Sequence, residues 1–218
     1  MALWEKVFAA GYDRFMAGTE KAGLHDMRRE LLSSARGRTL EIGAGTGANV
    51  DLYPAAVSDL VLAEPAEPMA RRLEHKHPHA HVVHAPAEAL PFEDASFDTV
   101  VCTLVLCTVE DPDRALGEIE RVLRPDGQLL FLEHVLDPTG RWVKWQQRLT
   151  PLQKRWACGC HLNRPTHETV TAHGFTLARL EHPQMPMAPP MLRPLSVGVA
   201  TPPSARSRSA PSSTQAPA

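Results

Sequence analysis

Aromatic residues make up only 6% of this 218-residue chain, and no apolar run approaches the roughly 20 residues that a helix needs to cross a bilayer. The longest mainly apolar stretch, Thr99 to Val109, is far shorter, so no membrane span is expected. Charge of one sign is lacking too. Lys and Arg total 23 against 25 Asp and Glu, and a net charge of -2 offers no field for phosphate backbones or anionic lipid. Nucleic acid is therefore not an expected partner. Cysteine is scarce, with four residues in two close pairs, Cys102 with Cys107 and Cys158 with Cys160. The opening segment MALWEKVFAAGYDRFMAGTE has no uninterrupted apolar core with a small-residue cleavage site, so free thiols in a reducing cytoplasm are expected rather than a disulfide framework.

What is present suffices for one domain, since a 43% hydrophobic content can fill a single sizeable core. After an amphipathic N-terminal helix, short apolar runs alternate with helix-like stretches: TLEI, Ala48 to Tyr53, DLVLAEP, Ala66 to Lys76, HVVHA. This is the βαβ rhythm of a parallel sheet. DTVVCTLVL is rich in β-branched residues and nearly continuous in its apolarity, as befits a central strand covered on both faces. Pro112 to Leu123 reads as a helix ended by RPDG, and QLLFLEHV as the next strand. The expected fold is a doubly wound, Rossmann-like α/β sheet of seven strands, mostly parallel with the last antiparallel. Residues 1-36 are expected to form a helical lid and 37-200 the main domain. A late insertion at about 137-173 should cover the pocket, and 201-218 should be a disordered tail of Pro, Ser and Ala.

The first chemically informative segment is Glu41-Ile42-Gly43-Ala44-Gly45-Thr46-Gly47, a glycine turn between a strand and an expected helix, where bare backbone and free amides can approach an anionic ligand. A dinucleotide fingerprint would place its third glycine at position 48, which is Ala48, so the spacing disfavours a nicotinamide oxidoreductase. Glu64 ends the second strand, where a carboxylate can accept both hydroxyls of a ribose. Turn and acid together imply a nucleoside cofactor.

EIGAGTG resembles the first motif of class I S-adenosylmethionine-dependent methyltransferases, Glu64-Pro65 the second, and AEALPFEDASFDTVVC with RVLRPDGQLLFLEHV the later strands of the type 11 group. Within that group VVCTLVLCTV, EHV, the WQQ of Trp145 to Gln147 and Gly159 to Arg164 are similar to the branch of methyltransferase-like alkyl thiol S-methyltransferases. The membrane anchor of that branch's animal members is not expected here. The resemblance implies S-adenosylmethionine as cofactor and a small molecule as acceptor, a thiol where the likeness to that branch extends to its substrate. A quinone carbon, a lipid amine and an inactive scaffold are the alternatives. It implies a cofactor site of Tyr12, Glu41, Gly43, Ala44, Gly45, Gly47, Asn49, Glu64, Pro65, Met69, Ala87, Glu88, Cys102, Thr103 and Leu104. It also places Cys107, Trp145 and His161 near the acceptor. Many relatives have Asp before the Ala-Glu pair, whereas this chain has Pro86, which puts the adenine contact in question.

Methyl transfer from a sulfonium is an in-line displacement that needs positioning and exclusion of water, with no metal expected. A protic nucleophile gains from a base, and His134 is the candidate. Cys158, Cys160, His161 and His167 lack the spacing of a structural zinc site. Cys102 and Cys107 read as buried small hydrophobes, and the histidines between His75 and His84 as a solvated run. Trp142, Trp145 and Trp156 suggest an apolar acceptor site, while Tyr12 with Phe8 and Phe15 reads equally as core or as lid.

Overall fold

A computed structural model of the chain describes residues 3–157 and 159–203, so the expected tail beyond 203 and Cys158 lie outside the described residues. Seven strands form one sheet: β1 (Gly37–Ile42), β2 (Val57–Ala63), β3 (His81–Val83), β4 (Phe97–Thr103), β5 (Leu123–His134), β6 (Thr176–Glu181) and β7 (Leu195–Thr201). Their order is β3-β2-β1-β4-β5-β7-β6. The first five run parallel, and β7 is antiparallel to both of its neighbours, as expected.

The β-branched run read as a central strand is β4, fourth of the seven. Alternation along it sends Val100 and Cys102 to one face and Val101 to the other, and β5 divides Leu129 and Phe131 from Leu130 and Leu132 in the same way. One face is covered by α4 (Pro112–Val122), which buries Ala115, Leu116, Ile119 and Val122. Asp111 caps that helix by accepting the amides of Asp113 and Arg114 at 3.1 Å each, and Pro112 enters its first turn. The other face is covered by α2 (His25–Leu32), whose Leu31 and Leu32 pack with Val101, Leu130 and Val197.

The N-terminal segment divides. α1 (Leu3–Thr19) leads through a π-type turn at Glu20–Leu24, where Gly23 adopts φ +133°, into α2. α2 thus belongs to the core, and α1 alone lies over the site described below. α3 (Glu67–Lys76), α5 (Val143–Trp156) and α6 (Thr166–Ala172) complete the helices. Among the described residues no helix is long and apolar enough to cross a membrane.

One local expectation fails. The segment Ala48 to Tyr53 is not an α-helix but a series of tight turns ending in a 3-10 turn at Val50–Leu52, with the amides of Gly47, Val50 and Leu52 bonded three residues back. Only six residues separate Gly47 from Pro54, too few to nucleate a helix that proline would then interrupt.

Candidate active site

The carboxyl ends of β1, β2, β4 and β5 open into a cavity of about 910 Å³, within the size range of small-molecule sites. Its floor is the glycine turn. Gly43 and Gly45 adopt φ of +63° and +57°, and a Cβ on Gly43 would lie 2.5 Å from Val105 Cγ2. On Gly45 the nearest atom to an added Cβ would be the Gly43 carbonyl oxygen at 4.0 Å, so glycine there leaves cavity space that a side chain would take.

Glu64 is held against this turn. Its Oε2 accepts the Gly45 amide and its Oε1 the Ala66 amide, both at 2.8 Å. Burial raises its pKa against the two amides, which lower it. Each oxygen keeps further acceptor capacity at the cavity wall, as a ribose diol requires. Pro65 and Met69 line the wall next to it, and Pro86, Ala87 and Glu88 line the loop after β3. Pro86 thus stands at the pocket without a side-chain acceptor, while Glu88 Oε1 accepts the amides of Glu110 and Asp111.

Glu41, Asn49 and Thr103 do not line the cavity; they form a buried brace behind it. Asn49 Nδ2 donates to Glu41 Oε1 and Thr103 Oγ1, and Tyr53 donates its hydroxyl to Glu41 Oε2. Arg28, itself buried, donates to Asn49 Oδ1, Thr103 Oγ1 and Glu20. Burial lifts the Glu41 pKa to about 7 against the Tyr53 and Asn49 hydrogen bonds and the Arg28 charge. Ala44, Gly47 and Cys102 are likewise placed beside the cavity and not on its lining; Cys102 is fully buried in the core between the strands. Gly47 lets α3 approach, since a Cβ there would lie 2.7 Å from Leu73 Cδ1.

α1 closes the cavity from above with Phe8, Tyr12, Phe15 and Met16. Asp13 on the same helix ties it down, accepting from Thr46 Oγ1 at 2.6 Å and Lys76 Nζ at 2.5 Å.

Beyond β4 the chain turns at Leu104, which adopts φ +61°, a conformation uncommon outside glycine, and lines the cavity. The turn is secured by Glu133, whose carboxylate accepts the amides of Val105, Leu106 and Cys107 at 2.9, 2.9 and 3.0 Å. Burial takes the Glu133 pKa up to about 7 against these three amides. The residues after α5 dock onto the same turn: His161 N donates to Cys107 O at 2.7 Å, Arg164 Nη1 to Leu106 O at 2.7 Å, and a Cβ on Gly159 would lie 2.8 Å from Thr108 O.

These contacts bring together three side chains distant in sequence. Cys160 Sγ lies 3.8 Å from Cys107 Sγ and 3.8 Å from His134 Nδ1, and all three residues line the cavity. The hydrogen bond shared with Cys107 and the His134 ring pull the Cys160 thiol down, against burial, while the same bond and burial push Cys107 up. His134 Nε2 is buried without a partner.

Of the expected acceptor residues, Cys107 is on the wall, but Trp145 and His161 are not. Trp145 is half exposed because α5 turns Gln146 inward, where its side chain bonds Val135 O, Met191 O and the Asp137 amide. Trp142 is also absent from the lining and lies beside the Arg141 guanidinium. The apolar wall comes instead from Met185, Met187, Ala188 and Leu192 on the β6–β7 loop. The only sign of it in the sequence is the uncharged, Met- and Pro-rich QMPMAPPML.

Residues 40–131 match the family model described as a methyltransferase domain. The human thiol S-methyltransferase TMT1B is 38% identical over 191 residues, covering 80% of this chain and 76% of that protein. The demethylmenaquinone methyltransferase of Clavibacter sepedonicus is 32% identical over 144 residues, covering 63% of this chain and 58% of that protein. A Thermotoga maritima S-adenosylmethionine-dependent methyltransferase, described as a possible histamine N-methyltransferase, superposes with a TM-score of 0.68 at 21% identity, covering 91% of this chain and 97% of that one. With the sheet order, the glycine turn and the acid that follows β2 in place, the chain belongs to the class I S-adenosylmethionine-dependent methyltransferases, in the type 11 group.

Proposed function

We propose that the protein transfers the methyl group of S-adenosylmethionine to the sulfur of a small, apolar thiol. The observation that carries this reading is a single cavity with two chemically distinct ends. One end has the Gly43–Gly45 backbone and the Glu64 carboxylate; the other has Cys107, His134 and Cys160 beside the methionine-rich wall. The likeness to a thiol S-methyltransferase supports it.

When bound, S-adenosylmethionine supplies a methyl group on a positively charged sulfur. Glu64 would accept its ribose hydroxyls, the backbone of Gly43 and Gly45 would face its amino-acid portion, and Pro65, Met69, Ala87 and Glu88 would flank its adenine. Leu104 would border the reacting sulfur. α1 acts as a lid that excludes water, with the rings of Tyr12 and Phe8 in tilted contact at 5.4 Å between centroids. Glu41 and Asn49 keep the floor of the site in position and do not touch the cofactor. An apolar acceptor gains from transfer out of water into the methionine wall, and its sulfur must lose a proton before it attacks. Among the described residues lining the cavity His134 is the only imidazole, and we assign that activation to the end of the cavity where it stands. A cytoplasmic location is part of the proposal, supported by the free thiols of Cys102, Cys107 and Cys160.

The test is mass-spectrometric detection of product from the full chain, S-adenosylmethionine and a panel of alkyl and aryl thiols, quinols and amines. S-methyl products are expected; turnover of quinols or amines with none of the thiols would overturn the acceptor assignment.

A further inference from the structure

The proposed thiol acceptor raises the question of how its proton is removed inside an apolar cavity. Cys107, His134 and Cys160 each present one metal-ligating atom, and these three atoms lie within 4.8 Å of one another. Among the described residues no other group of three or more such side chains converges in this way. A tetrahedral zinc ion holds its thiolates at about 2.3 Å and imidazole at about 2.0–2.1 Å, so two bound sulfurs stand ~3.8 Å apart and a sulfur and a nitrogen ~3.6 Å. The observed separations are 3.8 Å for Cys107 Sγ to Cys160 Sγ and 3.8 Å for Cys160 Sγ to His134 Nδ1.

The supports are those of a preformed site. Cys107 is fixed on both sides, its amide on Glu133 and its carbonyl accepting from His161 N. Cys160 is fixed by its amide on Ala157 O, and His134 by β5 pairing opposite Leu195. Two cysteines and one histidine make the three-ligand set of an open zinc site, whose fourth position takes water or substrate. Here that position faces the cavity that all three residues line.

We propose that Cys107, His134 and Cys160 bind a zinc ion whose open position takes the acceptor thiol as a thiolate. This rests on the thiol reading above and assigns the means of activation. As the acceptor sulfur coordinates, its S–H bond breaks and the proton leaves with the displaced water to solvent; His134 then serves as a ligand in place of a free base. The sulfur's lone pair forms the new bond to the methyl carbon while the sulfonium C–S bond breaks, its electron pair staying on the sulfur of S-adenosylhomocysteine. The neutral thioether is a poor zinc ligand and departs.

The test uses the full chain, reduced, equilibrated with zinc and desalted, with metal content and S-adenosylmethionine binding measured on the same samples. One zinc per chain is expected in the parent and in His167→Asn, and loss of that zinc in Cys107→Ser, Cys160→Ser and His134→Gln, with cofactor binding retained as evidence of folding. Cobalt in place of zinc should give sulfur-to-metal charge-transfer bands and tetrahedral visible bands that shift when an alkanethiol is added. Chelation should abolish thiol methylation, and zinc should restore it. Failure of the reduced parent to retain zinc, or equal zinc in the cysteine variants, would overturn the inference. Metal-free protein that methylates alkanethiols at an undiminished rate would overturn it alone and leave the thiol reading with His134 as base. A cobalt spectrum indifferent to alkanethiol, with no S-methyl product, would overturn both.

Discussion

The carboxylate of Glu64 accepts the amide of Gly45 at 2.8 Å, so the acid at the end of β2 and the glycine turn after β1 are bonded to each other across the mouth of the sheet. The anion that would hold a ribose also fixes the backbone beside it. Glu64→Gln removes the charge from this contact and from the Ala66 amide. Charge-assisted hydrogen bonds contribute about 1.5–3 kcal/mol each, so cofactor affinity should fall at least about tenfold, measured by calorimetric titration with S-adenosylmethionine. Unchanged affinity would remove Glu64 from the cofactor site.

Two alanine substitutions in the same turn should separate packing from ligand space. Gly43→Ala drives a Cβ to 2.5 Å from Val105 at φ +63° and should cost about 2–4 kcal/mol of stability, combining overpacking with left-handed strain. Gly45→Ala meets nothing closer than 4.0 Å and should cost only about 1 kcal/mol in the free protein, while weakening cofactor binding by a larger amount. Denaturant unfolding paired with cofactor titration reads both quantities. Equal stability losses would contradict the account.

Asp13→Ala cuts the two hydrogen bonds by which Asp13 ties α1 to the body of the protein, those from Thr46 and Lys76. Because Lys76 and Asp13 are about 40% exposed, global stability should change by less than about 1 kcal/mol. The bound cofactor should nonetheless dissociate several-fold faster, as measured by stopped-flow displacement with S-adenosylhomocysteine. No change in dissociation would deny α1 its role as a lid.

Glu41 gives a pH signature. Its pKa in the folded protein is raised to about 7, so between the ordinary carboxylate range and pH 7 the folded state binds the extra proton. Its contribution is therefore fully present at low pH and is lost as pH rises through about 7. The stability advantage of the parent over Glu41→Gln should grow as pH falls from 8 to 5, by up to about 3 kcal/mol. A difference constant across that range would show that the buried carboxyl titrates normally.

The sheet was readable from the chain because its strands are bounded by turn residues and its central run is nearly continuous in its apolarity. The Gly turn and the placement of Glu64 beside it were readable because both depend on backbone and on position along one βαβ unit. Legibility ended where function depends on which face of an element turns inward. Trp145 looked like an acceptor contact, yet Gln146, with three hydrogen bonds to satisfy, takes the inward position on α5. Glu41 and Asn49 share the motif with Gly43 but brace it from behind. The Cys107–His134–Cys160 cluster joins β5, the turn after β4 and the segment after α5, and spacing within any one of these segments carries no trace of it.

The most direct test of the central claim is the transfer of a deuterium-labelled methyl group from S-adenosylmethionine to an alkanethiol and to the alkanol of the same carbon skeleton, followed by mass spectrometry under initial-rate conditions. The account predicts labelled thioether from the thiol, absent with Glu64→Ala, and no labelled ether from the alcohol. Transfer to the alcohol at a comparable rate, or none to any alkanethiol while cofactor binds normally, would contradict it.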